Sequence, residues 1–170
     1  CFPKDVKALI KTASVNGYTM RVLNAVEEVN VIQKNVLFEK FKKRYDGDVA
    51  GRKVAIWGLA FKPETDDMRE APALVLIDSL LKAGCEVCAY DPVAMDECKK
   101  RVGDRISYAD NMYDAVIDAD VIFHVTEWKE FRIPSWEAIK RLMKPNPVII
   151  DGRNVLSEAI QNGFEYLKIG

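Results

Sequence analysis

The sequence lacks any apolar run long enough to cross a membrane. Its longest apolar stretches, such as PALVLI and ADVIFHV, fall far short of the ~20 residues that a membrane span needs, and no basic-then-apolar leader precedes them. An excess of one charge is also missing, because the net charge of the 170 residues is -1. We therefore expect neither nucleic acid nor a membrane as a partner, and we expect a cytoplasmic protein.

Residues that usually bind metals are scarce. His124 is the only histidine, and the four cysteines are Cys1, Cys85, Cys88 and Cys98. The CEVC spacing resembles a redox or zinc pair, but it lies in a predicted strand without a second pair, so packing in the core is favoured and no metal site is expected. For His124, within DVIFHV, a packed strand position is favoured over a catalytic role.

The first part of the chain has the periodicity of helices. PKDVKALIKTA predicts a short helix over residues 2–15, with Pro3 at its start. From about residue 19 to 45, apolar residues recur at helical spacing, and basic residues followed by Gly47 mark the end. A helix of this length, roughly 40 Å, is typical of one that connects domains or packs against a second copy.

From Gly51 onward the pattern alternates between strands and helices. KVAIWGL, ALVLIDSLLKAG and EVCAYDP form a predicted βαβ unit, and further apolar runs at 105–109, 120–125, 147–150 and 165–169 extend it to six strands. The pattern predicts an α/β fold. We expect a Rossmann-like parallel sheet with helices on both faces, preceded by a long helical segment, and with ligands at the carboxyl ends of the strands.

The stretch GLAFKPETDDMREAP follows the first strand, where a dinucleotide-binding fold would carry GxGxxG. Only Gly58 of that motif is present, so side chains would have to bind the ligand where the motif uses backbone groups. Lys62 and Arg69 are the candidates for binding phosphate or carboxylate. Asp66 and Asp67 would hold these cations. The alternative is a solvated loop of mixed charge that only leads into the next helix.

Two further polar residues follow predicted strands. Asp91 stands where an acid often binds a ribose hydroxyl, although the DP pair also favours a simple turn. Arg153, in DGRNVL, follows a later strand on the rim where ligands bind, and it is either a ligand-binding or a structural residue.

These segments together resemble the nucleotide-sugar 6-dehydrogenase family, and within it the enzymes that act on UDP-glucose. CFPKD is similar to the end of the catalytic-cysteine motif of that family, and GLAFKPETDDMREAP is similar to its substrate loop. YDP, TEW and DGRNVL follow in the expected order. The resemblance implies that residues 1–47 end a central helical dimerisation region and that residues 48–170 form a UDP-sugar-binding domain.

The resemblance also implies a chemistry: oxidation of UDP-glucose to UDP-glucuronate by two hydride transfers to NAD. Cys1 matches the nucleophile, whose thiolate traps the intermediate aldehyde as a thiohemiacetal that is oxidised to a thioester. Asp5 matches a residue that positions or deprotonates the hydrolytic water, and Lys4 matches its neighbour near the cofactor.

The family pattern further assigns binding roles. By that likeness Phe61, Lys62 and Arg153 bind the UDP-sugar, Arg69 reaches toward NAD, and the long helix forms a homodimer. An NAD-binding domain should precede Cys1 in this family, so we expect the chain to be a fragment that is inactive alone. The alternatives are a related dehydrogenase of UDP-N-acetylmannosamine or GDP-mannose, and a non-catalytic nucleotide-binding dimerisation module.

Overall fold

The computed structural model describes residues 2–170, and for Phe2 and Pro3 it describes the backbone alone. The helices and strands of this part of the chain are α1 (Phe2–Val15), α2 (Arg21–Arg44), β1 (Lys53–Trp57), α3 (Pro72–Lys82), β2 (Glu86–Tyr90), α4 (Met95–Val102), β3 (Ser107–Tyr108), β4 (Val121–His124), α5 (Trp136–Leu142), β5 (Val148–Asp151) and β6 (Glu165–Lys168).

The chain divides into two compact units, the first ending at Val36 and the second running from Leu37 to Gly170. The division falls inside α2. The two units are defined by contacts within each unit and not by function. The predicted domains 1–47 and 48–170 therefore stay predictions.

The second unit is built on a six-stranded sheet in the order β3-β2-β1-β4-β5-β6. Every neighbouring pair in the sheet is parallel. The chain first adds strands outward on one side of β1, then returns and adds β4 to β6 on the other side. This arrangement confirms the predicted α/β fold of the Rossmann-like type.

Apolar side chains cover both faces of the sheet. Along β1, Val54 and Ile56 belong to one buried cluster, whereas Ala55 and Trp57 belong to another. The first cluster includes buried residues of α3 and α4, and the second includes buried residues of α5. Such runs of apolar residues in a strand are expected when both faces are covered by helices.

The last turns of α2 belong to this core. Phe41 is fully buried, and its ring contacts Phe123 of β4 and Tyr45 edge to face, with ring centroids 5.5 and 5.3 Å apart. Burial of such a ring stabilises the fold by about 2–3 kcal/mol. The helix ends at Arg44, and Gly47 terminates it as predicted: its φ of +85° is in the left-handed region and its N–H donates to the Lys42 carbonyl.

The first unit consists of α1 and the start of α2. Lys7 of α1 and Glu27 of α2 form an ion pair of 4.0 Å. Several apolar side chains of α2 are exposed to solvent, among them Val22 (76%), Val29 (61%) and Ile32 (60%). An exposed apolar stripe on a helix is typical of a surface that packs against another protein chain.

Candidate functional site

Three loops meet at the carboxyl edge of the sheet. They are the long loop (residues 58–71) after β1, the β4 loop (residues 125–135) and the Asp151 turn (residues 152–156) after β5. β1 and β4 are neighbours at the point where the strand order reverses. Open parallel sheets bind ligands in the crevice at this position, so the three loops form the candidate site.

The long loop begins at Gly58 in a conformation that requires glycine. Its φ is +89°, and an added Cβ would lie 2.4 Å from Thr126 Cβ and 2.6 Å from Thr126 N. The Thr126 hydroxyl donates to the carbonyl of Ala60 at 2.6 Å. The start of the long loop therefore lies directly against the β4 loop, with no room for a larger residue.

Asp91, which directly follows β2, accepts hydrogen bonds from the same loop. Its Oδ2 accepts the N–H groups of Leu59 (2.7 Å) and Ala60 (3.2 Å) and the indole N–H of Trp128 (3.0 Å). Its Oδ1 accepts two N–H groups of the turn that follows β2. Asp91 is buried with both oxygens in use, which supports the turn interpretation over a ribose-binding role.

Asp151, at the end of β5, organises the Asp151 turn. Its carboxylate accepts the four backbone N–H groups of residues 153–156 at 2.8 to 3.0 Å and the hydroxyl of Tyr166 at 2.8 Å. His124, buried in β4 as predicted, lies beside it with Nδ1 2.8 Å from Asp151 Oδ1. The carboxylate is thus a buried centre around which the turn folds.

The pKa of Asp151 reflects these contacts. Burial alone would raise it, but the hydrogen bond and the electrostatic attraction of His124, together with backbone N–H groups, outweigh burial and lower the pKa below its usual range. An ionised carboxylate only accepts hydrogen bonds, so His124 Nδ1 carries the hydrogen between them. Within the described residues His124 Nε2 has no partner.

Arg153 connects the three loops. Its backbone N–H donates to Asp151, its Nε donates to the Val125 carbonyl at 2.7 Å, and its Nη2 donates to the Phe61 carbonyl at 3.2 Å. Glu127 Oε2 lies 2.9 Å from the same Nε. The structure thus brings together two of the predicted binding residues, Phe61 and Arg153.

The outer part of the long loop is held mainly by its own residues. The Phe61 N–H donates to the Asp67 carbonyl at 2.9 Å, and the fully buried Met68 anchors the chain beside it. Lys62 lies between these points on the exposed surface, and its ammonium group makes no ion pair or hydrogen bond within the described residues. A cation held this loosely is available for a ligand.

Arg69 is paired with Asp67, as predicted, but within the described residues Asp66 pairs with neither cation and Lys62 is not held by either aspartate. Arg69 Nε and Nη2 donate to the two carboxylate oxygens of Asp67 at 2.9 and 2.7 Å. The hydrogen bonds from Arg69 hold the pKa of Asp67 below its usual range. The pair borders a groove of about 420 Å³, lined by residues 65–69 together with Glu97 and Arg101 of α4.

The predicted catalytic residues lie in the first unit or outside the described residues. Lys4 and Asp5 are exposed near the start of α1. Cys1 lies outside the described residues, so its predicted role is not tested by the structure. The roles of Lys4 and Asp5 likewise stay predictions.

The other three cysteines are unpaired. Cys85 and Cys98 are buried and Cys88 is half-buried. Burial raises the pKa of all three thiols, that of Cys85 to about 11, so each is a poor nucleophile at neutral pH. Core packing therefore accounts for them.

Two kinds of feature are absent from the described residues. No group of three or more His, Cys, Asp or Glu side chains is placed to hold a metal ion. No helix in this part of the chain combines the length and the apolar character that membrane crossing demands.

Sequence reasoning missed two features of the site. It gave no role to Asp151, although parallel strands β4 and β5 pair His124 with Asp151 in register. It also predicted no role for Glu127 of the TEW segment, which contacts Arg153, 26 residues later in the sequence. The available signal was that each residue lies at or just beyond the carboxyl end of a strand beside another such strand.

Comparison with known proteins gives a consistent result. The sequence model described as "UDP-glucose/GDP-mannose dehydrogenase family, UDP binding domain" matches residues 55–158. A UDP-glucose 6-dehydrogenase of Pseudomonas aeruginosa is 46% identical over 177 residues, and one of Rhizobium meliloti is 38% identical over 172 residues. Both alignments cover 100% of this chain but 39% of the relative, so the chain spans about two fifths of their length.

The fold is also found in a solved structure of a UDP-glucose dehydrogenase from Pyrobaculum islandicum. The TM-score is 0.85 at 29% identity, and the match covers 98% of this chain and 36% of that one. A related structure, of an NDP-N-acetyl-D-galactosaminuronic acid dehydrogenase from Methanosarcina mazei, matches with a TM-score of 0.67 at 32% identity and covers 80% of this chain and 28% of that one.

Proposed function

The chain belongs to the UDP-glucose/GDP-mannose dehydrogenase family, and from that membership we propose that it is the UDP-sugar-binding part of an NAD-dependent UDP-glucose 6-dehydrogenase. In this proposal residues 48–170 bind the nucleotide sugar and residues 1–47 end a helical region that carries the catalytic cysteine. The complete enzyme oxidises UDP-glucose to UDP-glucuronate in the cytoplasm.

The observation that carries the proposal is the arrangement of cations at the carboxyl edge. Arg153 is held by carbonyl groups of two loops through Nε and Nη2, and its Nη1 makes no hydrogen bond within the described residues. Lys62 follows Phe61 directly, and the Phe61 carbonyl accepts from Arg153. A fixed guanidinium bound to the loop that also carries an exposed lysine suits a diphosphate, because the first sets direction and the second adds charge.

We assign the covalent chemistry to Cys1. Its thiolate adds to the aldehyde carbon to form a thiohemiacetal. Loss of hydride from that carbon, with loss of the proton from its hydroxyl group, leaves a thioester, and water cleaves the thioester to give the carboxylate and the free thiol. Asp5 positions or deprotonates this water, and Lys4 lies toward the cofactor. NAD supplies the hydride acceptor.

The long loop itself does not fit the diphosphate of NAD in the usual way. Gly58 has no partner glycines, and an added Cβ there would meet Thr126 rather than an open crevice. The helix after it, α3, begins only at Pro72. In this proposal the loop therefore does not hold the diphosphate of NAD, and Arg69 makes only a contact toward the cofactor.

We also propose that the enzyme is a homodimer formed through α2. The exposed side chains of Val22, Val29 and Ile32 support a partner surface on this helix. Sedimentation at micromolar concentration should show a dimer, and a monomer throughout that range would contradict the assignment.

The proposed reaction is tested on the protein that contains this chain. With UDP-glucose it should produce about two NADH per sugar, and Cys1→Ala should abolish net formation of the acid. UDP-N-acetylmannosamine and GDP-mannose serve as competing substrates, and faster turnover of either would move the assignment to that sugar. NADH production from UDP-glucose by the 170-residue chain alone would refute the proposal that this chain supplies only part of the active enzyme.

A further inference from the structure

The contact between Glu127 and Arg153 is not an ordinary hydrogen-bonded ion pair. Glu127 Oε2 lies 2.9 Å from Arg153 Nε, but the single hydrogen on Nε is directed to the Val125 carbonyl at 2.7 Å. Within the described residues Glu127 Oε2 is buried and accepts no hydrogen bond. The carboxylate therefore holds the guanidinium by charge at close range.

This charge contact lies on one side of the guanidinium. Glu127 approaches the Nε side, which faces the β4 loop, whereas Nη2 reaches the Phe61 carbonyl of the long loop. Both side chains are about one third exposed, at 31% for Arg153 and 30% for Glu127. In this partly dry environment an attraction at 2.9 Å is stronger than at the open surface.

The peptide groups of Phe61 are fixed from two sides. The Phe61 carbonyl accepts from Arg153, and the Phe61 N–H donates to the Asp67 carbonyl at 2.9 Å. The position of Lys62 depends on both contacts because it is the next residue in the chain. Loss of the Arg153 contact would leave the outer loop held mainly by its own residues and by the exposed ion pair between Glu64 and Lys129, which is 3.7 Å long and weak in solvent.

We propose that Glu127 is a positioning residue: its carboxylate holds Arg153 across the β4 loop and the long loop, and so sets Phe61 and Lys62 in place before the ligand binds. The identity of the ligand, a uridine diphosphate group, rests on the proposed function. Preorganisation of this kind raises affinity because the loop is ordered before binding.

If Glu127 acted only by repelling the ligand, and did not position Arg153, the opposite result would be expected. A carboxylate beside an anion-binding arginine repels a diphosphate, so its removal would tighten binding if positioning were unimportant. The sign of the effect of Glu127→Gln, which keeps the shape and removes the charge, separates the two roles.

The first experiment is calorimetric titration of the 170-residue chain with UDP. Glu127→Ala and Glu127→Gln should each weaken UDP binding about tenfold, because both remove the charge that holds Arg153. In the Arg153→Ala background, Glu127→Ala should change affinity by less than about twofold, because the residue acts through Arg153. Glu137→Gln, in another Glu–Arg pair on α5, is the matched control and should bind UDP like the wild type.

Tighter UDP binding by Glu127→Gln, or a full additive loss in the double variant, would overturn the proposal. Absence of UDP binding by the wild-type chain would count against the proposed function instead, and a second readout then still tests Glu127.

That second readout is hydrogen exchange of backbone amides without ligand. Glu127→Ala should speed exchange of the Phe61 amide and of its neighbours up to Asp67 by about tenfold or more, and leave β1 and β4 at wild-type rates. Unchanged exchange in the long loop would overturn the proposal. Faster exchange throughout the sheet would show a structural role and would also overturn it.

Discussion

The Asp151 turn and the long loop each present an arginine at the carboxyl edge, but the two arginines are held in different ways. Arg153 is tied through its backbone to a buried carboxylate and through its side chain to carbonyls of two other loops. Arg69, with a side chain 69% exposed, pairs with Asp67 two residues earlier.

This difference shows where a fixed contact can be built. A turn that folds around a buried, fully hydrogen-bonded carboxylate has little freedom, because any movement leaves polar groups unpaired. A surface pair within one loop moves with that loop and is weakened by solvent. Arg153 therefore suits a fixed contact with the ligand, and Arg69 suits a contact that forms when the rest of the site assembles.

The largest expected effect comes from the buried frame of the Asp151 turn. Asp151→Asn keeps the shape but removes the charge and faces N–H donors with an amide, so it should lower the free energy of unfolding by about 3–5 kcal/mol. Urea denaturation measures the change. Asp110→Asn alters an exposed carboxylate and should stay within about 0.5 kcal/mol of wild type. Equal changes in the free energy of unfolding for the two substitutions would contradict the distinction between the buried Asp151 turn and the protein surface.

The contact between the long loop and the β4 loop gives the next effect. Gly58→Ala should cost about 3 kcal/mol or more, because the new Cβ would meet backbone atoms of Thr126 at a strained φ. Gly47→Ala has a similar φ of +85° with nothing within 4 Å, so it should cost only about 1 kcal/mol. The difference between the losses of unfolding free energy in the two variants measures the effect of the close contact between Gly58 and Thr126. A difference near zero would contradict that contact.

Acid should act on the Asp151 turn in a defined direction. The pKa of Asp151 is lower in the folded chain than its unfolded value near 3.9, so the carboxylate's contribution to stability is complete above about pH 4 and is lost as the pH falls through the folded pKa. The stability gap between wild type and Asp151→Asn should therefore narrow on acidification. Urea denaturation at several pH values measures this difference in unfolding free energy. A difference that widens toward low pH would contradict the lowered pKa of Asp151.

The smallest effect is expected for the pair of Asp67 and Arg69 in the outer part of the long loop. Asp67→Ala removes the partner of the exposed Arg69 side chain, so the melting temperature should change by about 1 °C or less. Differential scanning calorimetry checks this. A loss of stability as large as that caused by Asp151→Asn would show that the pair of Asp67 and Arg69 stabilises the fold as the Asp151 turn does.

Most of the fold could be predicted from the sequence because its signals are local. Short apolar runs between turn residues located all six strands, and helical spacing with basic residues before Gly47 located the end of α2. The parallel arrangement followed from the alternation of strands and helices. Strand bounds were less accurate at β3, where a predicted run at 105–109 has only Ser107–Tyr108 in the ladder.

The site was predictable in its residue types but not in its contacts. Arg153 could be placed on the rim from its position after a strand, whereas its bond to the Phe61 carbonyl joins residues 92 positions apart. Asp91 was ambiguous for the same reason, because only the fold shows that its oxygens are used by Leu59, Ala60 and Trp128. Such contacts depend on which strands are neighbours and on loop conformation, and no local pattern records either.

The central claim is that the carboxyl edge of the sheet binds the uridine diphosphate group through Arg153 and Lys62. The most direct measurement is the set of backbone amide shifts of the 170-residue chain during titration with UDP. We expect saturable shifts in residues 58–64, 125–129 and 152–155, and in Arg153→Ala and Lys62→Ala the same shifts should need about tenfold more UDP or more, while the remaining amides stay at wild-type positions. Saturable shifts confined to the opposite edge of the sheet, or unchanged binding in both variants, would contradict the claim.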